Sequence, residues 1–358
     1  MTELVFILTD FSALTAGAEK RAQLAAATLP RLPALETVLA RAQRTALAYG
    51  WREWLAARMG AASMTPAATV AAAWLGAEAA GGPGAARHYW LATPVHFFAG
   101  IDRIQLHPAG LLSLPDAQQR DLVTQFAQVF GDSPWRLTAL GARELLLAGP
   151  PLQASGIDPA GFAGEDPSAG LPQGPDAAAL KRLGSEIELW LHEHPLNRAR
   201  AVRGELAVST LWLWGGARDI QYRQHQQREL RSGAAPTAPE PPAARLFGRD
   251  TYAEALWRLR GAAAWPLPQS LTEAAELIDG PADGIFLYPM RHDGSVPAAL
   301  AQLEHCWLAA AGAALRRRRI AAVQLLIGAR AYQLSWLDLG RLWRARAPWW
   351  EELMWGST

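Results

Sequence analysis

Residues that could bind an anion follow a His-Pro step in the middle of the chain, in the order Asn197, Arg198, Arg200 and Arg203. Guanidinium groups match the geometry of phosphate and carboxylate, so Asn197, Arg200 and Arg203 are candidate ligand-binding residues. A solvated basic turn after a helix is the alternative that this pattern leaves open.

An apolar run with two tryptophans and a glycine pair comes next, and it supplies the rest of the candidate site: Trp212, Trp214, Gly215 and Gly216. Open α/β sheets bind ligands beyond the carboxyl ends of their strands, so these residues could form the wall and floor of a pocket. A core strand that ends in a tight turn explains the same residues.

The histidines do not indicate a metal site. His88, His96 and His107 fall on or near neighbouring predicted strands, but their spacing shows none of the convergence that zinc requires. His192 and His194 lie near the end of a predicted helix, where an imidazole interacts favourably with the helix dipole. The chain contains no Ser-His-Asp pattern, phosphate-binding loop, dinucleotide-binding glycine motif or Cys-x-x-Cys.

Strands and helices alternate in the predicted core, which favours a mostly parallel sheet with helices on both faces. The predicted core elements are strands at Leu4–Thr9, Leu206–Trp214, Gly284–Met290 and Ile320–Gly328, and helices at Ala34–Met59, Tyr252–Leu259 and Pro297–Arg316. Between them, strands at His88–Phe98 and Ile101–His107, a hairpin at Trp135–Leu147 and helices at Pro115–Phe130 and Ala177–Glu193 predict an inserted α+β subdomain. We therefore predict an α/β core at 1–87 and 191–358, an insert at 88–190 and a Pro/Ala-rich linker at 231–245.

Composition limits the classes of function. The chain has 358 residues, half of them hydrophobic, and a formal net charge of +1. This charge gives no overall attraction to nucleic acid or anionic membranes. The single cysteine, Cys306, excludes an internal disulfide, and no uncharged apolar run reaches the roughly 18 residues of a membrane span. We expect a soluble, cytoplasmic protein with no membrane and no nucleic-acid partner.

The segment LHEHPLNRARAVRGELAVSTLWLWGGA, at 191–217, resembles the archaeal-type, cofactor-independent phosphoglycerate mutases of the alkaline phosphatase superfamily. The resemblance rests on His194-Pro195, Asn197, Arg200, Gly204 and Trp214-Gly215-Gly216. It covers the rest of the chain weakly. It implies an alkaline-phosphatase-like fold, a phosphomonoester substrate, two divalent metals and a phosphoserine intermediate.

The chain departs from that family where the chemistry would occur. Asp10 occupies the position of the family's first metal ligand, but phenylalanine follows it where the family has glycine. The counterpart of the family's serine nucleophile segment is Thr65-Pro66-Ala67-Ala68, which contains no serine. His292 and Asp293 are adjacent, unlike the spaced ligands of the family, and no histidine follows His305. The resemblance therefore implies no catalytic residue, no cofactor, and Asp10 as a vestigial metal ligand. HYWLATPVHF is also similar to degenerate proteobacterial relatives of the regulator-of-pathogenicity-factors E type.

We thus predict a non-catalytic, phosphoglycerate-mutase-like protein with a regulatory or binding role. The expected partners are a small phosphorylated or carboxylated metabolite, and a protein that contacts the C-terminal segment RLWRARAPWWEELMW. Arginine and tryptophan in that segment are typical of interface hot spots, although a helix packed on the sheet would also fit. The alternative function is a metal-dependent phosphoglycerate mutase or phosphatase with a rearranged active site.

Overall fold

A computed structural model describes residues 3–9, 11, 29–47, 50–62, 64–76, 87–100, 103–141, 143–216, 244–277, 282–290 and 296–355. The chain divides into two units. The first contains Met1–Met59, Glu240–Arg249 and Ala262–Thr358, and the second contains Gly60–Pro239 and Asp250–Gly261.

The strands are numbered in chain order. They are β1 (Glu3–Thr9), β2 (Gln43–Ala46), β3 (His88–Ala99), β4 (Ile104–Leu111), β5 (Arg136–Ala139), β6 (Leu145–Gly149), β7 (Thr210–Trp214), β8 (Arg245–Phe247), β9 (Gly284–Pro289), β10 (Ala322–Ile327) and β11 (Arg330–Ser335).

The helices are numbered in the same way. They are α1 (Pro33–Arg41), α2 (Gly50–Arg58), α3 (Pro66–Leu75), α4 (Asp116–Val129), α5 (Ala177–His192), α6 (Pro195–Val202), α7 (Thr251–Arg258), α8 (Leu271–Leu277), α9 (Val296–Leu303) and α10 (Ala309–Arg316). A π-helical turn, Glu304–Leu308, joins α9 to α10. Among the described residues, no helix has the length and apolarity that crossing a bilayer requires.

A six-stranded sheet with the order β2-β11-β10-β1-β9-β8 organises the first unit. Strand β1 is parallel to both β9 and β10, and β8 is parallel to β9, whereas β11 and β2 are antiparallel additions at one edge. The central strands are near-continuous apolar runs, as expected of strands buried on both faces. Phe6, Phe247 and Phe286 stack at centroid distances of 5.0–5.2 Å, and Trp307 packs against Phe6 and Phe286.

The second unit is built on an antiparallel sheet. Strand β3 pairs with β4, β6 and β7, and β5 pairs with β6. Helices α4 and α5 contribute Leu122, Leu180 and Ile187 to a core that surrounds Trp90. Strand β7, which the sequence-based division assigned to the α/β core, is hydrogen-bonded to β3 in this sheet.

The fold confirms the predicted α/β class, with a mostly parallel sheet in one unit and an α+β arrangement in the other. The single helix predicted at Ala34–Met59 is wrong, because β2 interrupts it. The side chains of β2 are all exposed, and its backbone pairs with β11. An exposed edge strand carries no apolar periodicity, so the pattern of Leu35, Val38 and Leu39 gave no sign of it. Most of the predicted linker at 231–245 lies outside the described residues.

Candidate functional site

The segment with the candidate anion-binding residues is a helix and not a turn. Helix α5 ends at His192 and α6 begins at Pro195, whose fixed φ and missing N–H suit the first helical position. His194 caps α6, because its Nδ1 accepts the backbone N–H of Leu196 at 3.1 Å. The His194 side chain is buried, and burial lowers its pKa. His194 therefore acts in its neutral form as a helix cap.

Asn197 is bound to the backbone on both sides of α6. Its Nδ2 donates to the carbonyls of Leu191 at 2.7 Å and Val208 at 2.9 Å. Its Oδ1 accepts the N–H of Val208 at 2.7 Å. The side chain thus connects the end of α5 to the segment that precedes β7.

Arg200 and Arg203 share one carboxylate, that of Glu205. Arg200 is buried, with Nε donating to the carbonyl of Leu206 at 2.7 Å and Nη1 lying 3.2 Å from a Glu205 oxygen. Arg203 pairs with both oxygens of Glu205, at 2.7 and 3.1 Å. The hydrogen bond from Arg203 lowers the pKa of Glu205, whereas burial lowers the pKa of Arg200. An external anion would have to compete with Glu205 for these guanidinium groups.

The two tryptophans of the candidate pocket are buried on β7. Trp212 Nε1 donates to the carbonyl of Ile157 at 2.8 Å, and its ring stacks on Phe162. Trp214 Nε1 donates to Thr93 Oγ1 at 2.9 Å. Both indole N–H groups therefore have partners within the second unit.

Gly215 and Gly216 allow close backbone approach after β7. Gly215 has a φ of +71°, and its carbonyl accepts the N–H of Ala67 at 3.0 Å. A Cβ on Gly216 would lie 2.3 Å from the Trp90 ring, so only glycine fits there without rearrangement. The glycine pair thus brings the end of β7 against the start of α3.

Thr65 lies at that start and caps α3. Its Oγ1 accepts the N–H of Ala68 at 3.2 Å, and its carbonyl accepts both the N–H and the hydroxyl of Thr69. Pro66 has no N–H to offer. The donors of the first turn are therefore satisfied inside the protein.

The proposed vestigial ligand Asp10, and His292 and Asp293, lie outside the described residues. Within those residues, no group of three or more His, Cys, Asp or Glu side chains is placed to hold a metal ion. The rings of His96 and His107 are 5.7 Å apart, and His96 Nδ1 bonds to the carbonyl of Ala207 at 2.8 Å. The ligand-binding assignment of Asn197, Arg200, Arg203, Trp212, Trp214, Gly215 and Gly216 stays a prediction.

Sequence reasoning missed a basic cavity in the first unit. It has a volume of about 630 Å³ and is lined by Ala40, Ala42, Gln43, Arg44, Arg341, Arg344 and Ala345. The only signal was the arginine-rich C-terminal segment, and the pairing of that segment with the end of α1 joins residues some 300 positions apart.

No protein-family model matches the chain, and no curated protein matches it. Solved structures show a distant likeness, among them the two that follow. The cofactor-independent phosphoglycerate mutase from Thermoplasma acidophilum DSM 1728 is 12% identical with a TM-score of 0.36, over 94% of this chain and 90% of that one. The PH0037 protein from Pyrococcus horikoshii is 10% identical with a TM-score of 0.42, over 93% of this chain and 87% of that one. Likeness at this level says nothing about activity.

Proposed function

We propose that the chain is a phosphoglycerate-mutase-like protein that acts by binding, in a regulatory role, and does not transfer phosphoryl groups. The observation that carries the proposal is the start of α3, where the resemblance places the nucleophile segment. The hydroxyl there belongs to Thr65 and serves as a helix cap.

A phosphoryl-transfer site at a helix start needs a nucleophile and free N–H donors for the phosphate. At α3, Pro66 has no donor, Ala67 donates to the carbonyl of Gly215, and Ala68 donates to Thr65. A phosphate would have to break these bonds to be held. Arg200 and Arg203, the other predicted phosphate-binding residues, are paired with Glu205. A phosphate would have to displace this carboxylate to bind them.

A metal-dependent mutase or phosphatase with a rearranged active site is the second candidate. It is favoured by one observation, the alignment of β1 and β9, in which Thr9 is the register partner of Pro289. Asp10 follows the first strand directly, and His292 and Asp293 follow the second after a short interval. Carboxylate and imidazole groups are suitable ligands for Mn²⁺.

The test is the turnover of 3-phosphoglycerate and of p-nitrophenyl phosphate by the full chain, with and without Mn²⁺. We expect no metal-dependent turnover. A rate that requires Mn²⁺ and is abolished in Thr65→Ala or Asp10→Asn would overturn the binding role in favour of the enzyme. Thr65→Asn, which can still cap α3 but has no hydroxyl nucleophile, is the control for loss of folding in Thr65→Ala.

Thermal unfolding with a panel of phosphorylated and carboxylated metabolites tests the metabolite part of the proposal. A ligand at 100 times its Kd stabilises the folded state by about 2.7 kcal/mol, which raises the midpoint by several degrees. A metal-independent shift with one metabolite supports a sensor. If no metabolite shifts the midpoint, the binding role is restricted to macromolecular partners.

A further inference from the structure

Positive charge is concentrated in one part of the first unit. Residues 316–346 contain eight arginines and one aspartate, in a chain whose net charge is +1. Within the described residues, Arg316, Arg317, Arg319 and Arg346 form no ion pair, and all four are exposed. This part of the chain therefore presents a strong local positive potential.

Large apolar side chains are exposed among these arginines. The exposed fractions are 40% for Trp336, 65% for Leu337, 73% for Leu342 and 79% for Trp343. The guanidinium of Arg318 lies 4.2 Å from the centroid of the Trp336 ring, so the turn after α10 contacts the segment after β11. We call the set the basic–aromatic surface: Arg316–Arg319, Trp336, Leu337, Arg341, Leu342, Trp343, Arg344 and Arg346. Clustered exposed apolar residues of this kind mark interaction sites.

The surface includes the basic cavity of about 630 Å³ lined by Arg44, Arg341 and Arg344. The three guanidinium groups are held in place by the carbonyls at the end of α1. Arg44 donates to Leu39, Arg341 donates to Arg41, and Arg344 lies 3.4 Å from the carbonyl of Ala42. Arg44 is also paired with Glu352 at 2.9 Å and Arg341 with Asp338 at 2.8 Å, whereas Arg344 forms no ion pair within the described residues. Fixed side chains lose little entropy when a ligand binds, so the cavity can receive an anionic group at Arg344 directly and at Arg44 and Arg341 by exchange of carboxylates.

We propose that the basic–aromatic surface is the docking site for an acidic, partly apolar segment of a partner protein. The proposal rests on the binding role proposed above and names the chemistry of its partner. Carboxylates of the segment pair with the guanidinium groups around the cavity. Its apolar side chains cover Leu342 and Trp343, since tryptophan and arginine together are typical of interface hot spots.

The concave shape favours a protein segment over a membrane. The cavity is an open recess that side chains of an extended peptide can enter, whereas a bilayer surface is recognised by an amphipathic face that inserts its apolar residues into the lipid. The positive charge complements carboxylates of a peptide, and attraction of this type also accelerates association.

The experiment measures the binding of a fluorescein-labelled peptide of alternating Glu and Leu to the full chain, by fluorescence anisotropy. The same peptide with Gln in place of Glu is the probe for charge. Vesicles of phosphatidylglycerol and phosphatidylcholine, and a single-stranded oligonucleotide, are tested as competitors. We expect the Glu peptide to bind, the Gln peptide to bind at least about tenfold more weakly, and the affinity to fall as salt is raised.

Variants locate the site. Trp343→Ala is expected to weaken binding by about 30-fold, the effect of a hot-spot residue. Arg341→Gln with Arg344→Gln is expected to weaken it by at least about tenfold. Leu189→Ala is the matched control for Leu342→Ala, because Leu189 is 77% exposed on α5 in the second unit. Arg182→Gln on α5 is the matched control for loss of an exposed arginine, and neither control should change binding.

Binding that is lost in the surface variants and unchanged in the controls supports the docking site. Failure of the Glu peptide to bind, equal losses in the controls, or preferential binding of the vesicles or the oligonucleotide overturns it. None of these outcomes depends on turnover, so the docking site can fail while the non-catalytic role stands. Conversely, a Mn²⁺-dependent mutase activity overturns that role without altering the peptide result.

Discussion

Replacement of Asn197 by alanine separates a structural role from a ligand-binding role most directly. The Asn197 side chain makes three hydrogen bonds to backbone groups, at 2.7–2.9 Å. Two of them satisfy the N–H and carbonyl of Val208, a residue that is fully buried. Asn197→Ala should therefore destabilise the fold even when no ligand is present.

The size of the effect follows from the number of bonds. Each hydrogen bond contributes a net stabilisation of about 1 kcal/mol, and a buried polar group left unpaired adds to the loss, so we expect a decrease of about 3 kcal/mol in the free energy of unfolding. For a unit of this size, that corresponds to a fall of roughly 6–12 °C in the midpoint. Asn197→Asp should be at least as unstable, because it places a carboxylate oxygen against the carbonyls of Leu191 and Val208.

The assay is urea unfolding and thermal unfolding of the full chain, with Arg198→Ala as the control. Arg198 is exposed on the same helix, and its replacement should change the free energy of unfolding by no more than about 0.5 kcal/mol. If Asn197→Ala unfolds at the same urea concentration as the wild type, the structural interpretation of this side chain is refuted. A loss of metabolite affinity with unchanged stability would instead support the ligand-binding prediction.

Three further predictions concern stability. His194 caps α6 in its neutral form and burial lowers its pKa, so its contribution to the free energy of unfolding is fully present above pH 6.5 and is lost as the pH falls through the lowered value. In urea unfolding, the loss of stability between pH 7.5 and pH 5.5 should therefore be smaller in His194→Asn than in the wild type. Equal losses in the two proteins would contradict this role. Gly216→Ala places a methyl group against Trp90 and should lower the free energy of unfolding by about 3 kcal/mol. Gly184→Ala adds a methyl group in open space on α5 and should raise the free energy of unfolding by about 0.5–1 kcal/mol. Equal melting points for the two variants would refute this difference. Glu304 accepts two backbone N–H groups at the start of α1, at 2.7 and 2.8 Å, so Glu304→Ala should cost about 2 kcal/mol in thermal unfolding, and an unchanged midpoint would exclude the cap.

The pattern of apolar residues predicted several buried elements well. Helix α5 was predicted at Ala177–Glu193 and is found at Ala177–His192, and β9 was predicted at Gly284–Met290 and is found at Gly284–Pro289. The helix carries its buried residues at helical spacing, whereas the strand is a short apolar run that is buried along almost its whole length. Strand β2 was missed because its side chains are all exposed. Helix α6 was missed because a His-Pro step signals the end of one helix and equally the start of another.

The candidate site was predictable only as a set of residue types. Arginine and asparagine after a helix suggest an anion site, but the sequence does not state which acceptors they find in the fold. Glu205 lies two residues from Arg203 and takes up both guanidinium groups, and Asn197 finds the backbone of Val208. Whether a charged group is free for a ligand depends on such partners.

The sequence by itself determined the α/β class, the order of most elements and the basic, aromatic character of residues 316–346. These properties follow from composition and from the periods of 2 and 3.6 residues, which are local. Only the tertiary structure decided that the N–H of Ala67 at the start of α3 is satisfied by the carbonyl of Gly215, and that the guanidinium groups of Arg341 and Arg344 are placed at the end of α1. Those outcomes depend on which groups folding brings into hydrogen-bond distance, and residues more than a hundred positions apart have no local pattern that encodes their contact.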